Sequence, residues 1–309
     1  MASVDDLRAR IARLIRPLAP LELPLADARG CVLAEEVRAP VPVPSFATVT
    51  VEGFAVRAHS YAAGETLRVI DEVPAGFRAS EELASGTCIR VWPGAPLPDG
   101  ADAVVEADLA RIDSTGVYLP VSIAGQGFVP AGAEIAAGEA LAEIGHEVTP
   151  RLMGTLARSS IRSVRVHPRP RVLAVTVGTE FVEPGVPTPL GLVSDHLSFP
   201  VVAIAEQAGA IGFRVPPILD DEAELVSIVD DNLHRTDIIV LCGMDLAGRA
   251  MACSAFGLTE VISRGDEGCA VGNREGSVIV ALGPDLGSIL SLGELVVPMI
   301  IRAQMGRTS

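Results

Sequence analysis

The sequence predicts a multi-domain α/β protein with a mixed, β-rich first half and a doubly wound second half. Its 309 residues are more than one hydrophobic core ordinarily organises, since single cores stop growing near ~250 to 300 residues. Short Val-rich runs broken by Gly and Pro fill residues 23–140, as is typical of an irregular β region. Beyond residue 169, continuous apolar runs alternate with helical patterns, which indicates a parallel sheet covered on both faces.

The first predicted element is an amphipathic helix at the start of the chain. Leu7, Ile11 and Leu14 repeat at helical spacing, and Pro17 ends the pattern. A second helix is expected in "HEVTPRLMGTLARSSIRSVRVHPRPRV", which ends in a proline-rich hinge. We therefore predict a helical linking domain from residues 1–22 and 141–168, with the β-rich domain of residues 23–140 between its two parts.

The second half, residues 169–309, is predicted to be a single α/β domain. The expected strands are "RVLAVTV", "IGFRV", "DIIVLC" and "SVIVAL". The expected helices are "DHLSFPVVAIAEQAGA", "DDEAELVSIVDDNLHR" and "LGSILSLGELVVPMIIRAQM". Ligands of such sheets bind beyond the carboxyl ends of the strands, so the loops 177–195, 242–256 and 283–288 are predicted to carry the site.

Composition excludes several classes of function. The net charge is −15 with no basic cluster, which argues against a nucleic-acid surface. All 24 basic residues are arginine, which excludes a Schiff-base lysine and a P-loop lysine. No apolar run reaches the ~18 residues of a membrane span, and the charged start lacks a signal-peptide apolar region. The sequence thus predicts a cytoplasmic protein without membrane insertion.

Cysteine and histidine usage predicts no metal site. The five cysteines show no C-x-x-C spacing, and their odd number fits reduced, mostly buried thiols. The five histidines are scattered, with no H-x-x-x-H pair.

Three motifs carry a resemblance to a known family. "GAPLPDGADAVVEAD", "GAEIAAGEAL" and "VGTEFVEPG" resemble, in order, the T-G-A-P-L-P-x-G-A-D-A-V-V, G-x-D-x-x-x-G and T-G-D-E-L-V-x-P-G blocks of the molybdopterin molybdenumtransferase family. This family comprises MoeA and the E domain of gephyrin, and inserts molybdate into adenylylated molybdopterin. The resemblance implies a MogA-like α/β domain in the second half, an elongated multi-domain chain and a homodimer. It also implies a further C-terminal β domain, which we expect to be absent here.

The departures from the family pattern fall at its chemistry. In "PSFATVTVEGFA" the family's first Asp is Ala47, and in "VGTEF" the family's Asp is Thr179. The Thr of T-G-A-P is Pro93, and "CGMDLAGRA" has Gly248 where the family has a carboxylate. "RGDEG" has Glu267 opposite the family's Lys.

These departures predict a loss of activity. The family's substrate carries phosphates, so its pocket needs cations and backbone N–H groups directed at anions. Glutamate in place of a cation at ~5 Å costs a few kcal/mol at an effective dielectric near 20. We therefore predict no catalytic residue and no cofactor, with molybdopterin, adenylylated molybdopterin or molybdate as the ligand if activity is retained.

Six residues are candidates for a remnant ligand site: Glu52, Glu134, Glu180, Asp245, Asp285 and Ser288. Ser288 is the main anion-binding candidate, because its hydroxyl and the neighbouring amides would point into the site. Glu180 is either a remnant molybdate-site carboxylate or a solvated residue at a strand end.

The remaining candidates each have a structural alternative. Glu52 and Glu134 occupy acidic positions of the family blocks, and Asp245 and Asp285 are alternatively loop caps. Two functions stay open on this basis. One is a non-catalytic, gephyrin-like dimeric scaffold or regulator with an unidentified protein partner. The other is a residual molybdopterin-binding protein or molybdenumtransferase.

Overall fold

The structure is a computed structural model that describes residues 4–264 and 267–307, with side chains for all of these except residues 4–6, 8, 260, 263, 264 and 267. The helices are α1 (Val4–Leu14), α2 (Pro150–Arg158), α3 (Ser198–Gln207), α4 (Glu222–Asn232), α5 (Leu246–Phe256), α6 (Leu286–Ser288) and α7 (Glu294–Gln304). A short 3₁₀ helix spans Ala107–Leu109, and a π-helical segment spans Ile289–Gly293.

The strands are short in the first half of the chain and longer in the second. They are β1 (Leu21–Pro24), β2 (Val32–Leu33), β3 (Val37–Arg38), β4 (Thr48–Val49), β5 (Gly53–Val56), β6 (Thr66–Val73), β7 (Thr87–Val91), β8 (Ala103–Glu106), β9 (Arg111–Asp113), β10 (Gly116–Tyr118), β11 (Phe128–Val129), β12 (Ala140–Ala142), β13 (Ser163–His167), β14 (Arg171–Thr176), β15 (Phe181–Val182), β16 (Val193–Ser194), β17 (Ile211–Arg214), β18 (Ile238–Cys242), β19 (Thr259–Arg264), β20 (Glu267–Arg274) and β21 (Ser277–Leu282).

The chain forms two compact units. Unit 1 comprises Met1–Glu35, Glu143–Pro150 and Ser163–Ser309, and unit 2 comprises Glu36–Ala142 and Arg151–Arg162. The predicted division at residues 22, 140 and 168 into three domains stays a prediction.

Unit 1 is built on a six-stranded sheet in the order β17-β14-β18-β21-β20-β19. The first four strands are parallel, and β20 runs antiparallel to both of its neighbours. Strands β18 and β21 are buried along their whole length, as expected for strands covered on both faces. The predicted doubly wound α/β fold is therefore confirmed, with an antiparallel hairpin at one edge that was not predicted.

The two faces of this sheet carry separate cores. Alternate residues of β14, β18 and β21 pack with α1, α3 and α7 on one face, and with α4 and α5 on the other. Leu7 and Ile11 of α1 are only 4% and 1% exposed within this core. The apolar face of α1 is therefore covered within the chain.

The helical stretch Leu286–Gln304 is long and apolar enough to cross a membrane by length and composition, with a mean hydropathy of 1.6 over an 18-residue window. Its residues Val296, Val297, Ile300 and Ile301 are fully buried in the core of unit 1. This is the packing of a core helix.

Unit 2 is β-rich, as predicted for this part of the chain. Its six-stranded sheet has the order β8-β5-β7-β6-β10-β9 and separates two small apolar cores, one centred on Phe54 and Leu67 and the other on Ile89 and Val91. Two short antiparallel pairs, β4 with β11 and β3 with β12, complete its strands.

Two expectations about individual elements were wrong. The segment 242–256, predicted to be a loop, contains helix α5, which starts at the cap residue Asp245 and ends at Gly257 in the left-handed conformation. The segment after α2, predicted to lead directly into a hinge, contains strand β13. Val164 and Val166 alternate with exposed or half-buried residues there, which is the two-residue period of a strand.

Candidate functional site

The candidate site lies where strands β14 and β18 of unit 1 end. Strand β14 continues into α3 on one face of the sheet, whereas the adjacent strand β18 continues into α5 on the opposite face. Connections that leave in opposite directions open a crevice at the carboxyl ends of the strands, and open α/β sheets bind ligands there.

Close approach of the backbone in this crevice requires glycine. Gly243 follows β18 with φ +91°, and a Cβ atom at this position would lie 2.5 Å from the carbonyl oxygen of Val177. Its N–H donates to the carbonyl of Gly283 at 3.2 Å, which ties the end of β18 to the end of β21. The three loops predicted to carry the site therefore do meet at this end of the sheet.

The centre of the crevice is a buried carboxylate, Asp195, which the sequence analysis did not select. Its Oδ1 accepts from the Thr176 hydroxyl at 2.8 Å and from the backbone N–H groups of Leu197 and Ser198 at 3.0 and 3.2 Å. Its Oδ2 accepts from the Ser198 hydroxyl and from Arg214 Nη2. Asp195 thus joins the end of β14 to the start of α3.

Arg214, the last residue of the edge strand β17, neutralises this carboxylate. Nη2 lies 2.9 Å from Asp195 Oδ2, and Nε donates to the Ser198 hydroxyl at 2.7 Å. The outer edge of the guanidinium binds Glu183 in a bidentate pair, with distances of 2.6 and 2.7 Å. Its central carbon lies 4.3 Å from the centre of the Phe199 ring.

The electrostatics of this group follow from these contacts. Burial raises the pKa of Asp195, but hydrogen bonds from Ser198, Arg214 and Leu197 outweigh it, so the pKa lies below the ordinary value. The hydrogen bonds from Arg214 likewise lower the pKa of Glu183. Burial raises the pKa of the neighbouring Cys242 thiol to about 12, which keeps this sulfur protonated and unreactive at neutral pH.

Asp245 and Asp285 are helix caps in the structure. The Oδ1 of Asp245 accepts from the Gly248 N–H at 2.7 Å, and the Oδ1 of Asp285 accepts from the Ser288 N–H at 2.9 Å. Each carboxylate thus lies at a helix start, where the positive end of the helix would otherwise favour an external anion.

Ser288 and Glu180 occupy contrasting environments at this end of the sheet. Ser288 is fully buried, and its hydroxyl has no hydrogen-bond partner among the residues that the structure describes. Glu180 is exposed, and its carbonyl accepts from the Val193 N–H at 2.8 Å. The predicted charge reversal at Glu267 falls on a side chain outside the described part of the structure.

Glu52 and Glu134 lie in unit 2, where both are exposed and paired. Glu52 Oε1 accepts from Arg90 Nη2 at 2.9 Å, and the Arg90 guanidinium lies 5.1 Å from the ring centre of Trp92. Glu134 Oε2 lies 2.7 Å from Arg158 Nη2.

Unit 2 also contains a cleft of about 500 Å³ lined by residues 76–82 and by parts of the motifs "PSFATVTVEGFA" and "GAPLPDGADAVVEAD". Phe46 and Ala47 line it from one motif, and Pro96, Leu97 and Asp99 line it from the other. Ala47 is the position where the family has its first Asp, so a methyl group stands in this cleft where a carboxylate is expected.

Within residues 4–264 and 267–307, no group of three or more His, Cys, Asp or Glu side chains is arranged to hold a metal ion. All five cysteines are free thiols, and all but the half-buried Cys253 are buried, as predicted.

Sequence reasoning missed Asp195, Arg214 and Glu183, although a local signal existed for the first. Asp195 is the first residue of the predicted helix "DHLSFPVVAIAEQAGA", and an aspartate at a helix start can accept from the backbone N–H groups two and three residues later, as Asp195 does.

Several known proteins are similar to this chain in sequence. The family model for the MoeA N-terminal region (domain I and II) matches residues 2–160. Molybdopterin molybdenumtransferase 2 of Mycobacterium tuberculosis is 30% identical over 328 residues, covering 99% of this chain and 80% of that protein. The molybdopterin molybdenumtransferase of Haemophilus influenzae is 25% identical, covering 98% of this chain and 78% of that protein.

The fold agrees with a solved structure. The MoeA molybdopterin biosynthesis protein of Pyrococcus horikoshii superposes with a TM-score of 0.82 at 23% identity, covering 99% of this chain and 80% of that chain. Because the family model matches about half of the chain and a 30% identical relative matches nearly all of it, this chain belongs to the MoeA family of molybdenum cofactor biosynthesis proteins.

Proposed function

We propose that this chain is a MoeA-family protein that has lost molybdenum insertion and acts as a non-catalytic, dimeric scaffold or regulator in the cytoplasm. The observation that supports it best is the charge at the carboxyl end of the unit 1 sheet. The guanidinium of Arg214 is held by Glu183 and Asp195, and α5 and α6 begin at the carboxylates of Asp245 and Asp285. A phosphate-bearing substrate would meet carboxylates there.

The electrostatic cost of this arrangement supports the proposal. Two like charges at ~5 Å repel by a few kcal/mol at an effective dielectric near 20, and a 1.4 kcal/mol penalty already weakens binding about tenfold. Among the described side chains at this end of the sheet, Arg249 is fully buried, with Nη1 donating to the Met244 carbonyl at 3.1 Å. Its guanidinium is therefore withdrawn from a ligand in solvent.

An insertion assay in solution tests the loss of activity. Purified chain is incubated with adenylylated molybdopterin and molybdate, and molybdenum cofactor is measured. We expect no product above background, because the ligand site repels the phosphates. The Haemophilus influenzae relative serves as the positive control, and turnover by this chain comparable to that control would contradict the proposal.

The second candidate function is residual molybdopterin binding, which Ser288 favours. A buried hydroxyl without a partner among the described residues is costly unless a ligand or water satisfies it. Co-purification of a molybdopterin species with the chain, lost in Ser288→Ala, would support this function over the scaffold.

The homodimer is a proposal that rests on the surface of unit 1. A groove of about 490 Å³ lies between α1 and α7 and is lined mainly by apolar side chains, among them Ala9, Ala12, Met299 and Ala303. Apolar grooves of this kind on a soluble protein commonly mark protein contacts.

A further inference from the structure

We propose that Arg214 is an anion-binding site that Glu183 occupies from within the chain, so that an external carboxylate or phosphate competes with the loop 179–194 for this guanidinium. The site lies at the end of the edge strand β17 and would take a planar carboxylate or a phosphate monoester.

The Arg214–Glu183 pair has the bidentate geometry with which arginine binds carboxylate and phosphate ligands. Nη1 and Nη2 of Arg214 donate to Oε1 and Oε2 of Glu183 at 2.6 and 2.7 Å, which makes two parallel bonds. This fork is how arginine binds carboxylates and phosphates, and it is directional as well as strong. Glu183 therefore occupies the position that an external oxyanion would take.

The guanidinium is held in place independently of Glu183. From behind, Nε donates to the Ser198 hydroxyl at 2.7 Å and Nη2 to Asp195 at 2.9 Å, while Phe199 lies 4.3 Å from the central carbon. The Asp195 side chain is fully buried, whereas that of Glu183 is 40% exposed. Glu183 is thus the partner that a solute can reach and displace. When the Glu183 carboxylate is displaced, Ser198 and Asp195 still hold the Arg214 guanidinium in the same orientation.

The charge balance also favours one external anion. Arg214 faces two carboxylates, so the group of three carries one net negative charge while Glu183 is bound. When Glu183 leaves, Arg214 and Asp195 balance, and the vacated edge accepts a new anion without a like-charge penalty.

The loop that carries Glu183 is suited to move. Residues 184–191 are all exposed, and Gly185 and Gly191 adopt φ values of +89° and +96° at the two ends of this segment. The ends of the loop are held by the pairing of β15 with β16, and the bidentate pair with Arg214 fastens the part between these strands to β17. Competition at Arg214 would therefore release the loop beside the crevice, which makes the pair a latch.

The latch should resist small free anions. A carboxylate positioned by the fold acts at an effective concentration above the ~millimolar value of a short flexible linker, so an anion with about millimolar affinity displaces it poorly. Removing the Glu183 carboxylate should reveal this affinity. Glu183→Gln keeps the shape but offers the fork one acceptor and places an NH2 donor against the other N–H, so it should also weaken the block.

The test compares Glu183→Ala with Glu183→Gln and with Glu180→Ala, which removes an exposed carboxylate from the same loop. Inorganic phosphate is titrated at constant ionic strength, with chloride as the reference anion, and binding is followed by calorimetry and by the Arg214 Nε–H signal in NMR. We expect Glu183→Ala to bind phosphate at least about tenfold more tightly than the wild type and Glu180→Ala, with Glu183→Gln between them. A folded Glu183→Ala protein that responds to phosphate no more than Glu180→Ala would overturn the proposal.

A measurement on the wild type covers the case in which Glu183→Ala does not fold. Hydrogen exchange of residues 183–192, between β15 and β16, should accelerate in concentrated phosphate relative to chloride at equal ionic strength, whereas exchange in β18 should stay constant. Equal exchange of the loop in both salts would also contradict the latch. Arg214 bonds Asp195 in the crevice, so this inference uses a group that also supports the proposed loss of molybdenum insertion. Phosphate binding and loop exchange are measured without molybdopterin or molybdate, so their outcome is distinguishable from that of the insertion assay.

Discussion

At the scale of single residues, Asp195 is the side chain that connects the elements of the candidate site. Its two oxygens accept from Thr176, Leu197, Ser198 and Arg214, so one side chain joins β14, α3 and β17. These contacts of Asp195 could not be predicted from a pattern in the sequence. Asp195 and Arg214 meet only because β14 and β17 are adjacent in the sheet. The sequence predicted the loop, and the fold determined which of its carboxylates would be central.

We expect Asp195→Ala to lower the free energy of unfolding by about 3 kcal/mol, because it leaves buried donors and part of a buried ion pair without a partner. Asp245→Ala, which removes only a helix cap at the same end of the sheet, should cost about 1 kcal/mol. Urea denaturation measures both, and equal losses in the two variants would show that the Asp195 network adds nothing beyond a cap.

Asp195 should also set part of the acid sensitivity. Its pKa is lowered in the folded chain from an ordinary value of 3.8, so its contribution is fully present above that pH and is lost as pH falls through the lower folded-state pKa. Unfolding free energy measured from pH 6 downward should therefore fall less steeply in Asp195→Asn than in the wild type, and parallel curves would contradict this.

At the scale of elements, burial explains which strands and helices could be predicted from the sequence. The strands of the unit 1 sheet were predicted because buried parallel strands are continuous apolar runs. Helix α5 was missed, since the apolar and polar residues of "LAGRAMACSAF" do not segregate to opposite faces. The hairpin of β19 and β20 was missed because its pairing depends on β21, a later part of the chain.

The close approach of the Gly243 and Val177 backbones at the crevice gives a prediction at the scale of elements. Gly243→Ala places a Cβ atom 2.5 Å from the Val177 carbonyl at a positive φ, so we expect a loss of about 3 kcal/mol in stability. Gly257→Ala, at the end of α5 with φ +65° and open space, should cost about 1 kcal/mol. Thermal denaturation distinguishes them, and a Gly243→Ala protein as stable as Gly257→Ala would refute the close approach.

At the scale of the whole molecule, the family and the general fold could be predicted from three motifs, whereas the state of the ligand site could not. Ala47 and Thr179 are visible in the sequence, but that Asp245 and Asp285 stand at helix starts and that Arg214 is held by two carboxylates required the structure.

We expect the purified chain to be a homodimer at micromolar concentration, with the groove between α1 and α7 in the contact. Light scattering gives the mass directly. Ala12→Asp, which places a charge in the groove, should shift the equilibrium toward monomer, whereas Ala62→Asp on the exposed surface of unit 2 should not. A monomeric wild type would remove the dimer from the proposed function.

The loss of molybdenum insertion is tested most directly by complementation. The gene is expressed in a strain that lacks its molybdenum-inserting enzyme, beside the gene of the Haemophilus influenzae relative, with equal amounts of soluble protein verified by immunoblot. We predict no molybdoenzyme activity from this chain and full activity from the relative, because Ala47, Pro93 and Thr179 replace polar positions of three motifs and the helix starts are capped by carboxylates. Molybdoenzyme activity restored by this chain alone would contradict the account.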